Sequence, residues 1–157
     1  MKARRGFTFI EILLVMIVLG ILATLAILRY IDLRDKAVAA GISTELNGVR
    51  LAAYNYWADH ETWPPDAGPG ITPPELVDYL PRSFSFSRAT YTLDWENFMP
   101  PDDTPGPGNG TMQLGLVVTS QSPSLTQALA IASLGGAPFV VAGNTLTYII
   151  VGPNGAM

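Results

Sequence analysis

Residues 2–28 of this chain read KARRGFTFIEILLVMIVLGILATLAIL. Basic residues open the stretch, and one carboxylate, Glu11, interrupts the apolar run that follows. A charged side chain in hydrocarbon costs several kcal/mol and is usually functional. Residues 12–28 carry no charge, and a helix over residues 7–28 spans roughly 30 Å at about 1.5 Å per residue, which is the thickness of a bilayer's apolar core. The stretch predicts a membrane-spanning helix that contains one functional carboxylate.

A secretory signal peptide is the main alternative for this stretch. The apolar run is too long for a typical signal, no A-x-A-like cleavage site ends it, and Glu11 weakens it. Basic side chains flank the span equally on both sides, and only the initiating amine favours a cytoplasmic N-terminus. A retained single span with the remainder exported is therefore the better interpretation.

The order of residues around Glu11 resembles a known processing signature. Gly6-Phe7-Thr8-Phe9-Ile10-Glu11, between a basic leader and an apolar run, is similar to the prepilin motif of the type IV pilin superfamily, which includes type II secretion pseudopilins. The resemblance implies that a prepilin peptidase cuts between Gly6 and Phe7 and N-methylates Phe7. It also implies that Glu11 pairs with the new amine of a neighbouring subunit during assembly.

The electrostatics of Glu11 agree with that implication. Cleavage would create a positive amine at Phe7 within the apolar zone, near a carboxylate that has no obvious partner in its own helix. Pairing two such charges is favourable relative to leaving either one buried alone. Snorkelling to the interface or protonation of Glu11 are the alternatives to pairing.

The resemblance implies three segments and a structural function. These are a cleaved leader (1–6), a transmembrane and assembly segment (7–28) and an exported head (29–157). The protein would be a non-enzymatic subunit of a type IV pilus or type II secretion pseudopilus. It would sit in the bacterial inner membrane as a single pass, and its partners would be other pilin-like subunits, a prepilin peptidase, a platform protein and an ATPase.

Two points stay open at the level of sequence. Leu28 stands where many family members have a proline that would kink the helix, so a straighter helix is expected and the kind of fibre is undecided. A membrane-anchored exported binding or enzymatic domain that does not polymerise is the alternative function.

Composition excludes several other functions. From residue 29 onward the chain has six basic and twelve acidic residues, a formal charge of −6, which argues against nucleic-acid binding. There is no cysteine, so disulfides, thiolate chemistry and cysteine-based metal sites are excluded. At 157 residues the chain has room for one domain and a membrane segment.

The apolar helix is predicted to continue beyond the membrane. One apolar face recurs at spacings of three and four residues, formed by Ala39, Ile42, Leu46, Val49, Ala53 and Tyr56. The pattern ends near residues 57–61, so the helix would be roughly 80 Å long. Its outer half would be the spine of the head.

The rest of the chain predicts an α+β head in which a small antiparallel sheet of three or four strands covers the long helix. Short helices are expected at residues 73–80, capped by Thr72, and at 124–134. Strands are expected at 89–95, 112–119, 139–142 and 145–151. Gly143-Asn144 is a hairpin signal between the last two strands.

Several polar and aromatic residues are candidate binding or catalytic sites. His60, the only histidine, is best interpreted as a solvated residue at a helix end. Weak calcium candidates are Asp94, Glu96, Asp102 and Asp103, because calcium takes carboxylate oxygens, but their spacing matches no defined loop. The tryptophans at 57, 63 and 95 could form a ligand platform, although core packing is the better interpretation. No catalytic residue and no other cofactor is expected.

Overall fold

The computed structural model of the protein describes residues 7–98, 113–133 and 138–152. Its longest element is α1, an α-helix at Phe9–His60 that is unbroken across Gly20 and Leu28. This confirms the long N-terminal helix. Every third or fourth residue of its outer part is buried, as the apolar periodicity predicts: Ala39, Ile42, Leu46, Val49, Ala52 and Ala53.

The chain divides into two compact units, Met1–Arg34 and Asp35–Met157. By length and composition, α1 is the one helix in the described part of the chain that could cross a membrane. In the second unit, α1 contributes its buried residues to a core shared with the sheet. Trp95, Phe86 and Leu116 are among the largest side chains of that core, and each is completely buried.

Four strands form one antiparallel sheet in the order β1-β2-β4-β3. They are β1 (Tyr91–Asn97), β2 (Leu114–Ser120), β3 (Phe139–Ala142) and β4 (Thr145–Val151). A second helix, α2, covers Pro123–Ser133. The α+β arrangement expected from the sequence, a long helix packed against a small antiparallel sheet, is confirmed.

The hairpin between β3 and β4 turns at Gly143-Asn144, as predicted. Gly143 has φ +61, whereas Asn144 has no positive φ. A positive φ at only the first central residue is the type II′ geometry, in which glycine avoids the steric cost that a Cβ would incur. The local turn chemistry was therefore sufficient to locate this hairpin.

The predicted helix at residues 73–80 is wrong. The segment forms a single 3₁₀ turn at Pro74–Leu76, preceded by Pro73 without a side-chain cap. Thr72 does not cap it, because its Oγ1 accepts a hydrogen bond from the backbone N–H of Phe86 at 3.3 Å. A tertiary contact therefore takes the hydroxyl that the sequence pattern assigned to a cap.

The first two strands begin later than predicted. Both are displaced toward the C-terminus, by two residues at their starts and by one or two at their ends. Their antiparallel register pairs Tyr91 with Ser120 and Asn97 with Leu114. Strand ends are decided by which residues find a hydrogen-bonding partner across the sheet, and alternation along one strand does not contain that information.

Polar contacts join the outer part of α1 to the sheet. The carboxylate of Glu45 accepts a hydrogen bond from the hydroxyl of Tyr91. It also forms an ion pair with Arg88, in which Nη2 lies 3.3 Å from Oε1. The hydroxyl of Tyr148 on β4 donates to Oδ1 of Asn47 at 3.0 Å. These side chains therefore fix the helix against β1 and β4.

Candidate functional site

The N-terminal end of α1 is built around Glu11 and Thr8. The backbone N–H and the hydroxyl of Thr8 both donate to Oε2 of Glu11 at 2.9 Å, and Thr8 Oγ1 accepts from the Glu11 N–H at 3.4 Å. This reciprocal pair is a capping box, which satisfies donors that a helix start leaves free. The expectation that Glu11 has no partner in its own helix is wrong.

The sequence contained the signal for this cap. A threonine followed three residues later by glutamate, directly before an apolar run, is the capping-box pattern. The acidic side chain also lies in the first turn of α1, where the helix dipole stabilises negative charge. Glu11 is therefore held in position by its own helix.

Apolar side chains surround this cap and lie exposed. From Phe7 to Leu33, the large hydrophobic side chains keep between 43% and 83% of their surface accessible. An open groove of about 320 Å³ runs along this part of the helix, lined by Phe7, Glu11, Ile12, Val15, Met16 and Leu19. Because such a surface is unfavourable in water, another apolar environment must cover it.

Only one of the two carboxylate oxygens of Glu11 takes part in the cap. Both hydrogen bonds from Thr8 end on Oε2, and no described hydrogen bond ends on Oε1. A carboxylate in this arrangement can accept a second donor without losing the capping geometry. Gly6, on the other side of the predicted cleavage point, lies outside the described residues.

His60 is exposed at the C-terminal end of α1, as expected of a solvated helix-end residue. Its ring stacks on Tyr56 with centroids 4.3 Å apart, and Nδ1 lies 3.1 Å from the Tyr56 carbonyl oxygen. Because that oxygen can only accept, Nδ1 must be the donor. The hydroxyl of Tyr79, which packs edge-on to the same ring pair, donates to Asp59 at 2.8 Å.

The calcium candidates divide into two groups. Asp102 and Asp103 lie outside the described residues. Asp94 and Glu96 lie two positions apart on β1, and the neighbouring Asp66 interacts with both. Burial, followed by the charges of Asp94 and Asp66, raises the pKa of Glu96 to about 7. Within the ranges that the structure describes, no group of three metal-ligating side chains has a geometry that could hold a metal ion.

The three tryptophans have different environments. Trp95 is fully buried, and its Nε1 donates to the carbonyl oxygen of Pro64 at 3.0 Å, so it is a core residue. Trp57 remains 45% exposed, and its ring lies 5.7 Å from that of half-buried Trp63, with 22° between the ring planes. Core packing therefore accounts for Trp95 but not for Trp57.

A family model matches the N-terminal part of the chain. The model of the prokaryotic N-terminal methylation motif matches residues 1–27, which include the cap. No solved structure matches the chain.

Curated relatives match less than half of this chain. A type IV major pilin protein of Neisseria gonorrhoeae is 31% identical over 71 residues, covering 45% of this chain and 33% of the relative. A type IV narrow pilus major component of Thermus thermophilus is 40% identical over 48 residues, covering 31% and 41%. A fimbrial protein of Pseudomonas aeruginosa is 38% identical over 53 residues, covering 34% of each chain. The chain thus spans less than half the length of these relatives.

The motif and the relatives agree with the fold. A long N-terminal helix that packs on a small antiparallel sheet is the arrangement expected of a pilin-like chain. Its methylation motif and its matches to pilins and fimbrial proteins make this chain similar to members of the type IV pilin superfamily.

Proposed function

We propose that this protein is a structural subunit of a type IV pilus-like or pseudopilus fibre, that it polymerises through α1, and that it catalyses no reaction. The observation that carries this proposal is the exposed apolar surface of residues 7–33 with a capped carboxylate at its start. A simple membrane anchor needs the apolar surface but has no use for an ordered carboxylate within it.

Two environments can cover this surface in turn. Before assembly the lipid bilayer covers it, and in a fibre the N-terminal helices of neighbouring subunits do so. Lipid tails and apolar side chains are similar in polarity, so transfer between them needs little hydrophobic free energy and depends on packing and specific polar contacts. Glu11, the one charged side chain of residues 7–28, supplies such a contact.

The proposed contact is an ion pair between subunits. Cleavage between Gly6 and Phe7 leaves Thr8 in place, so the capping box survives processing while a positive amine is created at Phe7. Oε2 of Glu11 stays with Thr8, and Oε1 remains for the amine of an adjacent subunit. A pair of this kind sets the axial register of helices whose apolar side chains alone would allow sliding.

The remaining assignments follow the same proposal. The leader is 1–6, the assembly segment 7–28 and the exported head 29–157, with the N-terminus cytoplasmic and the span in the inner membrane. The partners are other pilin-like subunits, a prepilin peptidase that also N-methylates Phe7, a platform protein and an assembly ATPase. The similarity to two pilus components and a fimbrial protein from three organisms supports the assignment of other pilin-like subunits as partners.

Mass spectrometry of the mature N-terminus tests the processing step. We expect Phe7, N-methylated, as the first residue of the protein recovered from membranes. An intact leader with Gly6 still attached would contradict the proposal and favour the membrane-anchored, non-polymerising alternative. Shearing cells then separates the fibre types, because a major pilin dominates the released filaments and a pseudopilin is absent from them.

A pair of substitutions separates charge pairing from capping. Glu11→Gln keeps an oxygen that can accept from Thr8 but removes the negative charge, whereas Thr8→Ala removes the two hydroxyl bonds of the cap, leaves the backbone N–H bond to Glu11 and keeps the charge. We expect Glu11→Gln to be processed normally and lost from fibres, while Thr8→Ala is still incorporated. Normal incorporation of Glu11→Gln would refute the pairing role, and loss of only Thr8→Ala would assign Glu11 to capping.

A further inference from the structure

We propose that the outer edge of β3 is a self-association surface, at which the β3 strands of two copies of this chain pair edge to edge and join their sheets. The surface lies within the Asp35–Met157 unit. The inference goes beyond the proposed fibre and does not depend on it, because the N-terminal part of α1 takes no part in the contact.

The two edge strands of the sheet are β1 and β3, and β1 is covered by the chain itself. The carbonyl oxygen of Tyr91 accepts a hydrogen bond from the N–H of Arg88 at 3.0 Å. Leu93 donates to the carbonyl oxygen of Phe86 and accepts from the N–H of Gly70, both at 2.8 Å. The backbone groups that β1 turns away from β2 are therefore already paired.

The outer backbone groups of β3 have no such partner within the described ranges. Ile149 on β4 donates to the carbonyl oxygen of Pro138 at 2.9 Å, so the backbone at position 138 faces β4. Backbone groups alternate in direction along an antiparallel strand, so the N–H and C=O of Phe139 and Val141 point away from the sheet. No described hydrogen bond ends on these groups. A partner at this edge must be an extended strand, because only a strand supplies donors and acceptors at the same spacing.

The side chains of β3 do not protect this edge against pairing. Proteins commonly block an exposed edge with a charged side chain, a proline or a covering segment. Phe139–Ala142 contains neither a charged residue nor a proline. Val140 and Val141 lie on opposite faces of the sheet and keep 47% and 43% of their surface exposed. A strand added here would gain apolar contacts on both faces in addition to its hydrogen bonds.

The distribution of charge favours a second copy of this chain as the partner. Residues 104–157, which include β2, α2, β3 and β4, contain no charged side chain. The formal charge of −6 from residue 29 onward therefore resides in residues 29–103. Two copies repel each other through that acidic part, whereas an approach through β3 brings no like charges together.

The strand is also complementary to itself. When two β3 strands run antiparallel about a two-fold axis at Val140, Phe139 of each copy lies opposite Val141 of the other. Each of these pairs exchanges both N–H···O bonds, and Val140 faces its own counterpart in the non-hydrogen-bonded position between them. With only four residues in β3, the contact is small and weak, so it forms where copies are concentrated, as in a membrane.

A cysteine at the two-fold position tests the pairing, since the chain has none of its own. Purified full-length Val140→Cys is reconstituted at high density in lipid vesicles and oxidised with copper phenanthroline. Cα atoms in a non-hydrogen-bonded pair are about 4.5 Å apart, which a disulfide can span. Val77→Cys is the matched control, because Val77 is 55% exposed and lies outside the uncharged region. We expect the covalent dimer of Val140→Cys to form about tenfold faster, because pairing raises the effective concentration of the two thiols.

A second substitution distinguishes strand pairing from random collision. The N–H of Val141 points away from β4, so Val141→Pro removes a donor from the open edge and keeps the bonds between β3 and β4. In the Val140→Cys background it should lower the cross-linking rate to that of Val77→Cys. Val141→Lys, which places a charge in the uncharged contact, should do the same and replaces the proline variant if near-ultraviolet circular dichroism shows a disturbed head.

Three outcomes would overturn the proposal. The first is a cross-linking rate for Val140→Cys no higher than that for Val77→Cys. The second is fast cross-linking that persists with Val141→Pro or Val141→Lys in a folded head. The third is cross-linking of Val140→Cys to other proteins in whole membranes but not to itself when purified, which would assign the edge to an extended segment of another protein. Adding Glu11→Gln should leave the rate unchanged, so a failure of the fibre proposal is distinguishable from a failure of this one.

Discussion

The hydroxyl of Tyr91 donates a hydrogen bond to Oε2 of Glu45, linking the start of β1 to the outer part of α1. Arg88 contacts the other oxygen of the same carboxylate at 3.3 Å, and the guanidinium also lies 5.7 Å from the centre of the Phe84 ring. Burial and the hydrogen bond to Glu45 raise the pKa of Tyr91 far above its ordinary value, so the phenol remains a donor at alkaline pH. A half-buried, charge-assisted contact of this kind holds the helix and the sheet together.

Tyr91→Phe should lower the free energy of unfolding of the head by about 1.5 kcal/mol, since hydrogen bonds to charged groups contribute more than neutral ones. The expected decrease in Tm is about 3–6 °C. Thermal unfolding of the full-length chain, followed by near-ultraviolet circular dichroism, measures it. Tyr56→Phe is the control, because the Tyr56 hydroxyl makes no described hydrogen bond, and an equal loss in both variants would contradict the assignment to Glu45.

The head should be more stable at pH 5.5 than at pH 8. The pKa of Glu96 is raised from 4.5 to about 7 by burial and by the carboxylates of Asp94 and Asp66. The folded state therefore holds a proton that the unfolded state has released, and stability is lost as pH rises from about 4.5 through 7. We expect a difference of about 1 kcal/mol, less than full linkage gives, because solvent screens a partly exposed group.

Glu96→Gln should flatten this pH dependence. The raised pKa of Asp94 contributes with the same sign and should stay raised in this variant, because burial and the charge of Asp66, which cause it, are both unchanged. Asp78→Asn, at an exposed position outside the carboxylate group, should leave the profile unchanged. A Tm that rises between pH 5.5 and pH 8 would show that Glu96 is not protonated in the folded state.

Glu61→Gly should stabilise the head by about 0.5–1 kcal/mol. Glycine removes the steric cost of φ +57, while its larger entropy in the unfolded chain offsets part of the gain. Gly68→Ala is the opposite test: φ is +74 there and no atom lies within 4 Å of an added Cβ, so only backbone strain acts. We expect a loss of about 1 kcal/mol, and chemical denaturation of both variants measures the difference.

Trp95→Phe should destabilise the head by about 2–4 kcal/mol, because the smaller ring leaves a cavity and the Pro64 carbonyl loses one of two donors. Trp57→Phe should change the free energy of unfolding by less than about 0.5 kcal/mol, because that ring is partly in solvent. Unfolding curves of the two variants compare them directly. Similar losses would place Trp57 in the core.

Patterns among neighbouring residues predicted the helix and strands whose formation depends mainly on those residues. The periodicity of apolar residues located α1 to within two residues at its start, and the glycine-containing turn located β3 and β4 with their observed bounds. The capping box of Thr8 and Glu11 follows from the same kind of local rule, because a threonine three residues before a glutamate at a helix start is its pattern.

Contacts between distant parts of the chain decided the rest. Residues 73–80 have the composition of a helix, but the hydroxyl of Thr72 bonds to Phe86, fourteen residues away. Asp66 approaches Asp94 and Glu96 because the segment after α1 returns along β1, as the bond from Gly70 N–H to the Leu93 carbonyl shows. The spacing of these residues in the sequence does not predict that they lie close together, because their proximity depends on how the two segments pack.

The sequence by itself determined that this protein has a long helix with an apolar N-terminal part and a charged residue within it, because helix periodicity, length and hydropathy are properties of neighbouring residues. The tertiary structure decided what the individual polar and aromatic residues do. Trp95 lies in the core while Trp57 lies at the surface, and Glu96 titrates near neutrality, because burial and the approach of distant carboxylates depend on packing.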